Sequence, residues 1–277
     1  MISTVLTGIA ILGGVALVAA AVLYAVAQKF KVEPDKMAED IAKILPQANC
    51  GGCGYAGCAD FARACSQAKE EDLSNLLCPV GGAEVMQKIA ALKGMTAQTA
   101  NHRKVAVLRC RGNCEAAPAK VVYDAVSSCR IANQISVGQS GCPQGCLHLG
   151  DCVKVCKFGA LRFDENTQMP VIDENKCVAC GACIKACPRL LFELRELSAK
   201  GALVYTACRN TQKGAIARKN CLNACIGCQK CTKINAEVKV ENNLSVIPVS
   251  VDADEFGTAL KEACPTGAIV YKENINA

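Results

Sequence analysis

Tryptophan is absent from this 277-residue chain, and aromatic residues make up only 4% of it. A core of that size normally draws on large rings, so something other than bulky side chains fills part of the interior. A net charge of +6 with scattered basic residues, and few rings on which bases could stack, leaves no nucleic-acid footprint. No GxGxxG stands between a strand and a helix, so a dinucleotide site is not expected. Histidine is scarce as well: His102 and His148 are the two, and both are expected to be surface or hydrogen-bonded residues.

Charge is missing altogether from residues 1–27, MISTVLTGIAILGGVALVAAAVLYAVA. About 20 apolar residues cross a bilayer as a helix, so residues 1–28 are expected to form a transmembrane helix in the lipid bilayer. The segment has neither a basic n-region nor a convincing cleavage site, which argues against a secreted protein. Lys29 and Lys31 follow at once, and the positive-inside rule puts the rest of the chain in the cytoplasm. That compartment is reducing and disfavours disulfides. No charged residue sits inside the span to carry ions.

What the chain has in excess is cysteine, 22 in all. Closed zinc sites use separate pairs of pairs, and packing as small hydrophobes accounts for two or three thiols but not for runs of four. Cys177, Cys180, Cys183 and Cys187, followed by Pro188, fit C-x2-C-x2-C-x3-C-P, the bacterial ferredoxin run for cubane [4Fe–4S] clusters. Three closely spaced thiolates wrap one cube, while the fourth is carried to a second cluster and Pro188 turns the chain away. Gly181, with Ala179 and Ala182, lets the backbone approach the sulfides. The second run, CPQGCLHLGDCVKVCKFGAL from Cys142, is irregular. Lys157 stands where proline is usual and Leu149 where a middle cysteine is usual, so Cys142 or Cys129 must fill that corner. The crossover rule assigns Cys142, Cys146, Cys152 and Cys187 to one cluster and Cys156, Cys177, Cys180 and Cys183 to the other.

Further on, CIGCQKC supplies Cys225, Cys228 and Cys231, and Cys264-Pro265 supplies a solitary run-ending thiol. These four are expected to hold one cluster; Asn235 occupies the place of a fourth run cysteine, so a sister cluster is not expected. Near the N-terminus, Cys50, Cys53, Cys58 and Cys78 form C-x2-C-x4-C-x19-C with glycines at 51, 52, 54 and 57, a further cluster site. Cys65 reads as a packed thiol within a helix. Cys110, Cys114, Cys129, Cys208 and Cys221 remain as candidate additional ligands, so the expected cofactors are at least four [4Fe–4S] clusters, with a fifth left open.

An internal repeat links two stretches of equal length, Cys129–Cys152 and Cys208–Cys231. Both place twelve residues, then three, then five between corresponding cysteines. A second alignment pairs Cys110 with Cys208, each following a Val-rich strand and preceding arginine. Residues 33–48 and 81–93 read as amphipathic helices, with Gly94 as a stop. KVAVLR (104–109), ALRF and MPVID read as strands.

The N-terminal span, GCGYAGCADFA in the four-cysteine region, GCLHLGDCVKVC and the ferredoxin run together resemble the B subunit of the Rnf complex over nearly the whole chain, in its longer form with an additional C-terminal Fe–S module. The resemblance implies a component of a membrane-bound, ion-translocating ferredoxin:NAD+ oxidoreductase. It would receive electrons from soluble ferredoxin and pass them to the other membrane and peripheral subunits, in a bacterial or archaeal cytoplasmic membrane. The isolated chain would be an electron carrier only. Two other classes are an electron-transfer component of a different membrane oxidoreductase and an iron–sulfur sensor. The expected fold is α+β: a transmembrane helix (1–28), a small mainly helical cluster domain (29–94), a linker (95–103), a ferredoxin-like module with two clusters (104–200) and a second with one (201–277).

Overall fold

The computed structural model describes residues 2–29, 35–73, 76–95, 103–273 and 275. His102 and, apart from Met95 and Arg103, the linker lie outside the described residues. The first helix, α1 (Ile2–Lys29), covers the uncharged stretch. Among the described residues no helix is long and apolar enough to cross a membrane, and the expected span at 1–28 is corrected accordingly.

Four short helices follow: α2 (Lys36–Ile44), α3 (Cys58–Gln67), α4 (Glu70–Leu73) and α5 (Gly82–Leu92). Asp35 caps α2, its carboxylate accepting the N–H groups of Met37 and Ala38, which would otherwise be orphaned at the helix start. The apolar faces converge on a core of Ile41, Phe61, Cys65, Met86 and Ile89. Tyr55 meets Phe61 edge-on, ring centres 5.5 Å apart. Lys93 closes the far end of α3, donating to the carbonyls of Cys65 (2.6 Å) and Ser66 (3.1 Å), the end where carbonyls lack intrahelical partners.

The next unit runs β1 (Lys104–Leu108), α6 (Cys129–Ile135), α7 (Asp151–Lys154), β2 (Leu161–Asp164), β3 (Met169–Ile172), α8 (Ala182–Ala186) and β4 (Phe192–Glu196). Its outer strands pair antiparallel, Lys104 opposite Glu196 and Leu108 opposite Phe192, and the β2–β3 hairpin lies between them in sequence. The last unit runs β5 (Leu203–Thr206), α9 (Gly214–Asn220), β6 (Lys239–Glu241), β7 (Leu244–Val246), α10 (Ala253–Ala263) and β8 (Ile269–Lys272). It repeats the nesting, with β5 on β8 and the β6–β7 hairpin enclosed.

Strand periodicity explains how the two units join. Side chains alternate across a strand, and β1 is buried on both faces. Ala106 and Leu108 pack with Leu161, Ile172 and Phe192 of their own unit. Val105 and Val107 pack with Leu203 and Tyr205 of the last unit. A polar clamp accompanies this shared core: Glu193 accepts from Arg109 (3.1 Å) and from Arg195 (2.7 Å). Arg195 also donates to the carbonyl of Ile247 (2.8 Å). In the last unit, Val204, Val238, Ile247, Leu260 and Ile269 fill a core of their own.

Candidate functional site

All 22 cysteines are free thiols, and all but Cys65 and Cys114 gather around loops that the short helices and strand ends hold in place. Cys58 opens α3, where the helix dipole favours a thiolate. Cys50, Cys53 and Cys78 come from the loops on either side, and Cys53, Cys58 and Cys78 pack on the helical core. The N–H of Gly52 points at Cys50 Sγ (3.5 Å) and that of Gly81 at Cys78 Sγ (3.4 Å). Cys65 is fully buried among Ile41 and Phe61, and burial pushes its thiol up to about 11.

Cys156, Cys177, Cys180 and Cys183 line one pocket. The N–H of Ala106 in β1 points at Cys177 Sγ (3.3 Å). Cys225, Cys228, Cys231 and Cys264 line another, where Ser245 offers its N–H to Cys225 (3.4 Å) and its hydroxyl lies 3.3 Å from Cys231 Sγ. Cys187 and Cys264 each cap the end of a helix, α8 and α10, with backbone angles that nearly coincide. Pro188 and Pro265 follow them, so the same local geometry delivers both thiols.

The sequence leaves the fourth corner of the Cys146 set to Cys142 or Cys129. Cys146 has Cys110, Cys152 and Cys129 as electrostatic neighbours, and Cys152 has Cys129 and Cys187. Cys142 lines a third thiol-walled pocket together with Cys110, Cys208 and Cys221, and Cys146 reaches the same wall. Spacing within 142–156 cannot separate Cys129 from Cys142, because the decisive contacts come from the other unit. Cys114 stands apart, donating its S–H to the carbonyl of Asn166 (3.3 Å). His148 Nδ1 lies 2.7 Å from the carbonyl of Gln168, and Asn235 accepts the N–H of Glu237 (2.8 Å).

One pattern recurs at these thiols: the N–H two residues on points back at the sulfur. It holds at Cys50 and Cys146 (His148 N–H, 3.4 Å) and at Cys180 and Cys225. Such N–H donors stabilise a thiolate and tune a cluster bonded to it. Burial pushes the thiols of Cys152 and Cys183 up to about 12, so an empty site would keep its protons and the metal must displace them on binding. Among the described residues no three His, Cys, Asp or Glu side chains are gathered tightly enough for a single metal ion. An occupant that reaches several separated sulfurs at once suits such loops, and an iron–sulfur cage has that form.

Nested antiparallel strands around thiol-lined pockets define an iron–sulfur electron-transfer protein of the ferredoxin type. Comparison with known proteins agrees. Residues 139–191 match the 4Fe-4S dicluster domain family, and residues 45–72 match a family of Fe-S cluster segments. The chain is 37% identical to the B subunit of an ion-translocating oxidoreductase complex from Methanosarcina acetivorans, over 84% of this chain and 85% of that one. It is 36% identical to the B subunit of the proton-translocating ferredoxin:NAD(+) oxidoreductase complex of Clostridium ljungdahlii, over 96% and 92%. With the B subunit of the Na(+)-translocating ferredoxin:NAD(+) oxidoreductase complex of Acetobacterium woodii it shares 38% identity, over 81% of this chain and 65% of that one. The chain belongs to the B-subunit family of the ion-translocating ferredoxin:NAD+ oxidoreductase, or Rnf, complexes.

Proposed function

We propose that this protein relays electrons from reduced soluble ferredoxin toward the NAD+-reducing part of its complex through at least four [4Fe–4S] clusters. The ligand sets are Cys50, Cys53, Cys58 and Cys78; Cys129, Cys146, Cys152 and Cys187; Cys156, Cys177, Cys180 and Cys183; and Cys225, Cys228, Cys231 and Cys264. The observation that carries this is the pair of pockets each walled by four cysteines. A bound cubane supplies a one-electron carrier whose potential follows its ligands, hydrogen bonds and exposure. The working units are residues 29–94, 104–200 and 201–277.

The chain's own residues set the order. Cys228 is the one exposed cysteine, and Lys230 and Lys233 flank the loop beside it, Lys230 exposed. This end faces the donor, and its basic side chains steer an acidic protein. At the other end, Gly52 of the N-terminal cluster loop lies against the backbone of Cys180, so two sets meet loop to loop. With no dinucleotide loop in the chain, NAD+ reduction and ion translocation fall to partner subunits. Translocating ions requires a sealed membrane, so the complex is membrane-associated; the cluster units lie on the cytoplasmic side, where free thiols persist.

The test is ferredoxin-dependent NAD+ reduction by membranes lacking this chain. Loss of activity, restored by the chain, is expected. Full activity without the chain would refute the relay.

A further inference from the structure

Four thiols lie outside the sets above yet converge on one another: Cys110, Cys142, Cys208 and Cys221 line the third pocket, with Cys146 of the neighbouring set at its edge. Two geometric links tie them together. A Cβ placed on Gly112 would lie 3.6 Å from both Cys110 Sγ and Cys221 Sγ. Asn210 donates its side-chain N–H to Cys142 Sγ (3.5 Å) and its backbone N–H to Cys208 Sγ (3.4 Å). Each link joins one thiol from either ferredoxin-like unit.

The two units contribute equivalent pairs. Cys110 and Cys208 each stand two residues beyond an outer strand, β1 and β5. Cys142 and Cys221 each precede the first spaced cysteine of the next set, Cys146 and Cys225, by four positions. All four sulfurs show the back-pointing N–H seen at the other sets, from Gly112, Gln144, Asn210 and Asn223.

Packing of plain hydrophobic thiols does not explain the walls. Asn210 is 2% exposed, and its amide is spent on a sulfur. Gln144 Oε1, also on the wall, is the one buried side-chain oxygen or nitrogen without a partner among the described residues. Native interiors rarely leave such a group unmatched, and a rotated amide would aim its N–H donors at a sulfide-bearing occupant. Arg109, Arg111 and Arg209 also line the cavity, and positive charge suits an anionic cage.

We propose that Cys110, Cys142, Cys208 and Cys221 bind a further [4Fe–4S] cluster at the junction of the two ferredoxin-like units, each unit supplying two ligands. This rests on the reading that the neighbouring cavities hold such clusters. The site closes a gap: the N–H of Cys146 reaches Cys110 Sγ (3.4 Å), and Cys208 is an electrostatic neighbour of Cys225. The five sets then form one unbroken series from Cys228 to Cys50.

Iron and acid-labile sulfide counted per full chain, purified without oxygen, test it. Five cubanes give about 20 irons. Cys142→Ala and Cys208→Ala are each expected to lower the count to about 16, and the double variant to lower it no further, while Cys114→Ala leaves it unchanged. A wild-type count of about 16, or a double variant that loses twice what each single one loses, would overturn the site. Should the variants not fold, the wild-type count decides alone. A wild-type count below about 8 would instead defeat the relay reading itself.

Discussion

Cys58 and Cys65 both lie on α3, about two helical turns apart, and their surroundings give them opposite chemistry. Cys58 sits at the helix start beside the glycine loop, whereas Cys65 is sealed in the core, where burial keeps its thiol protonated. Cys65→Ala is expected to cost about 1–2 kcal/mol of stability, read in thermal unfolding, and to leave the iron content intact. Cys58→Ala should remove about four irons. Gly52 is a second decisive residue. A Cβ there would lie 2.9 Å from the Cα of Cys180, and neither backbone can yield without parting the loops. Gly52→Ala is expected to cost about 1–3 kcal/mol, to spare the clusters, and to weaken the magnetic coupling between the two nearest ones in EPR.

Among the elements, α10 has the clearest structural task. Its Asp252 cap and its buried Gly257 and Leu260 fix it against the β5–β8 pair. A Cβ on Gly257 would lie 2.2 Å from the ring of Tyr271, so Gly257→Ala should lower the melting temperature by an overpacking cost of about 1–3 kcal/mol without changing the iron count. Local elements are largely legible in the sequence. The amphipathic stretches at 33–48 and 81–93 become α2 and α5, and KVAVLR, ALRF and MPVID become β1, β2 and β3. Helix α10 is not legible in the same way, because its place depends on Tyr271 and the β5–β8 pair rather than on its own pattern. The uncharged N-terminal stretch reads as a membrane span; what is described there is α1, which does not meet that requirement.

Across the whole molecule, the arrangement of thiols depends on docking of the two ferredoxin-like units. Cys142 finds Asn210 and Cys208 from far along the chain, a contact that local spacing cannot encode, whereas the C-x2-C runs, whose ligands lie within a few residues, are readable directly. The docking rests on β1, buried on both faces, and on Glu193 between Arg109 and Arg195. Glu193→Gln leaves Arg195, which is largely buried, without its ion partner. With the pair partly solvated, a loss of about 1–3 kcal/mol is expected. Faster proteolysis at the junction of the units would report it, and an unchanged digestion pattern would count against the clamp.

The central claim is that these cysteines hold a continuous series of iron–sulfur cages. Redox-titrated EPR of the anaerobically purified full-length protein addresses it most directly. The account predicts several reducible [4Fe–4S] signals that broaden one another as neighbouring sites fill with electrons. Isolated protein that is folded, colourless and free of inorganic sulfide, with no such signals on reduction, would contradict it.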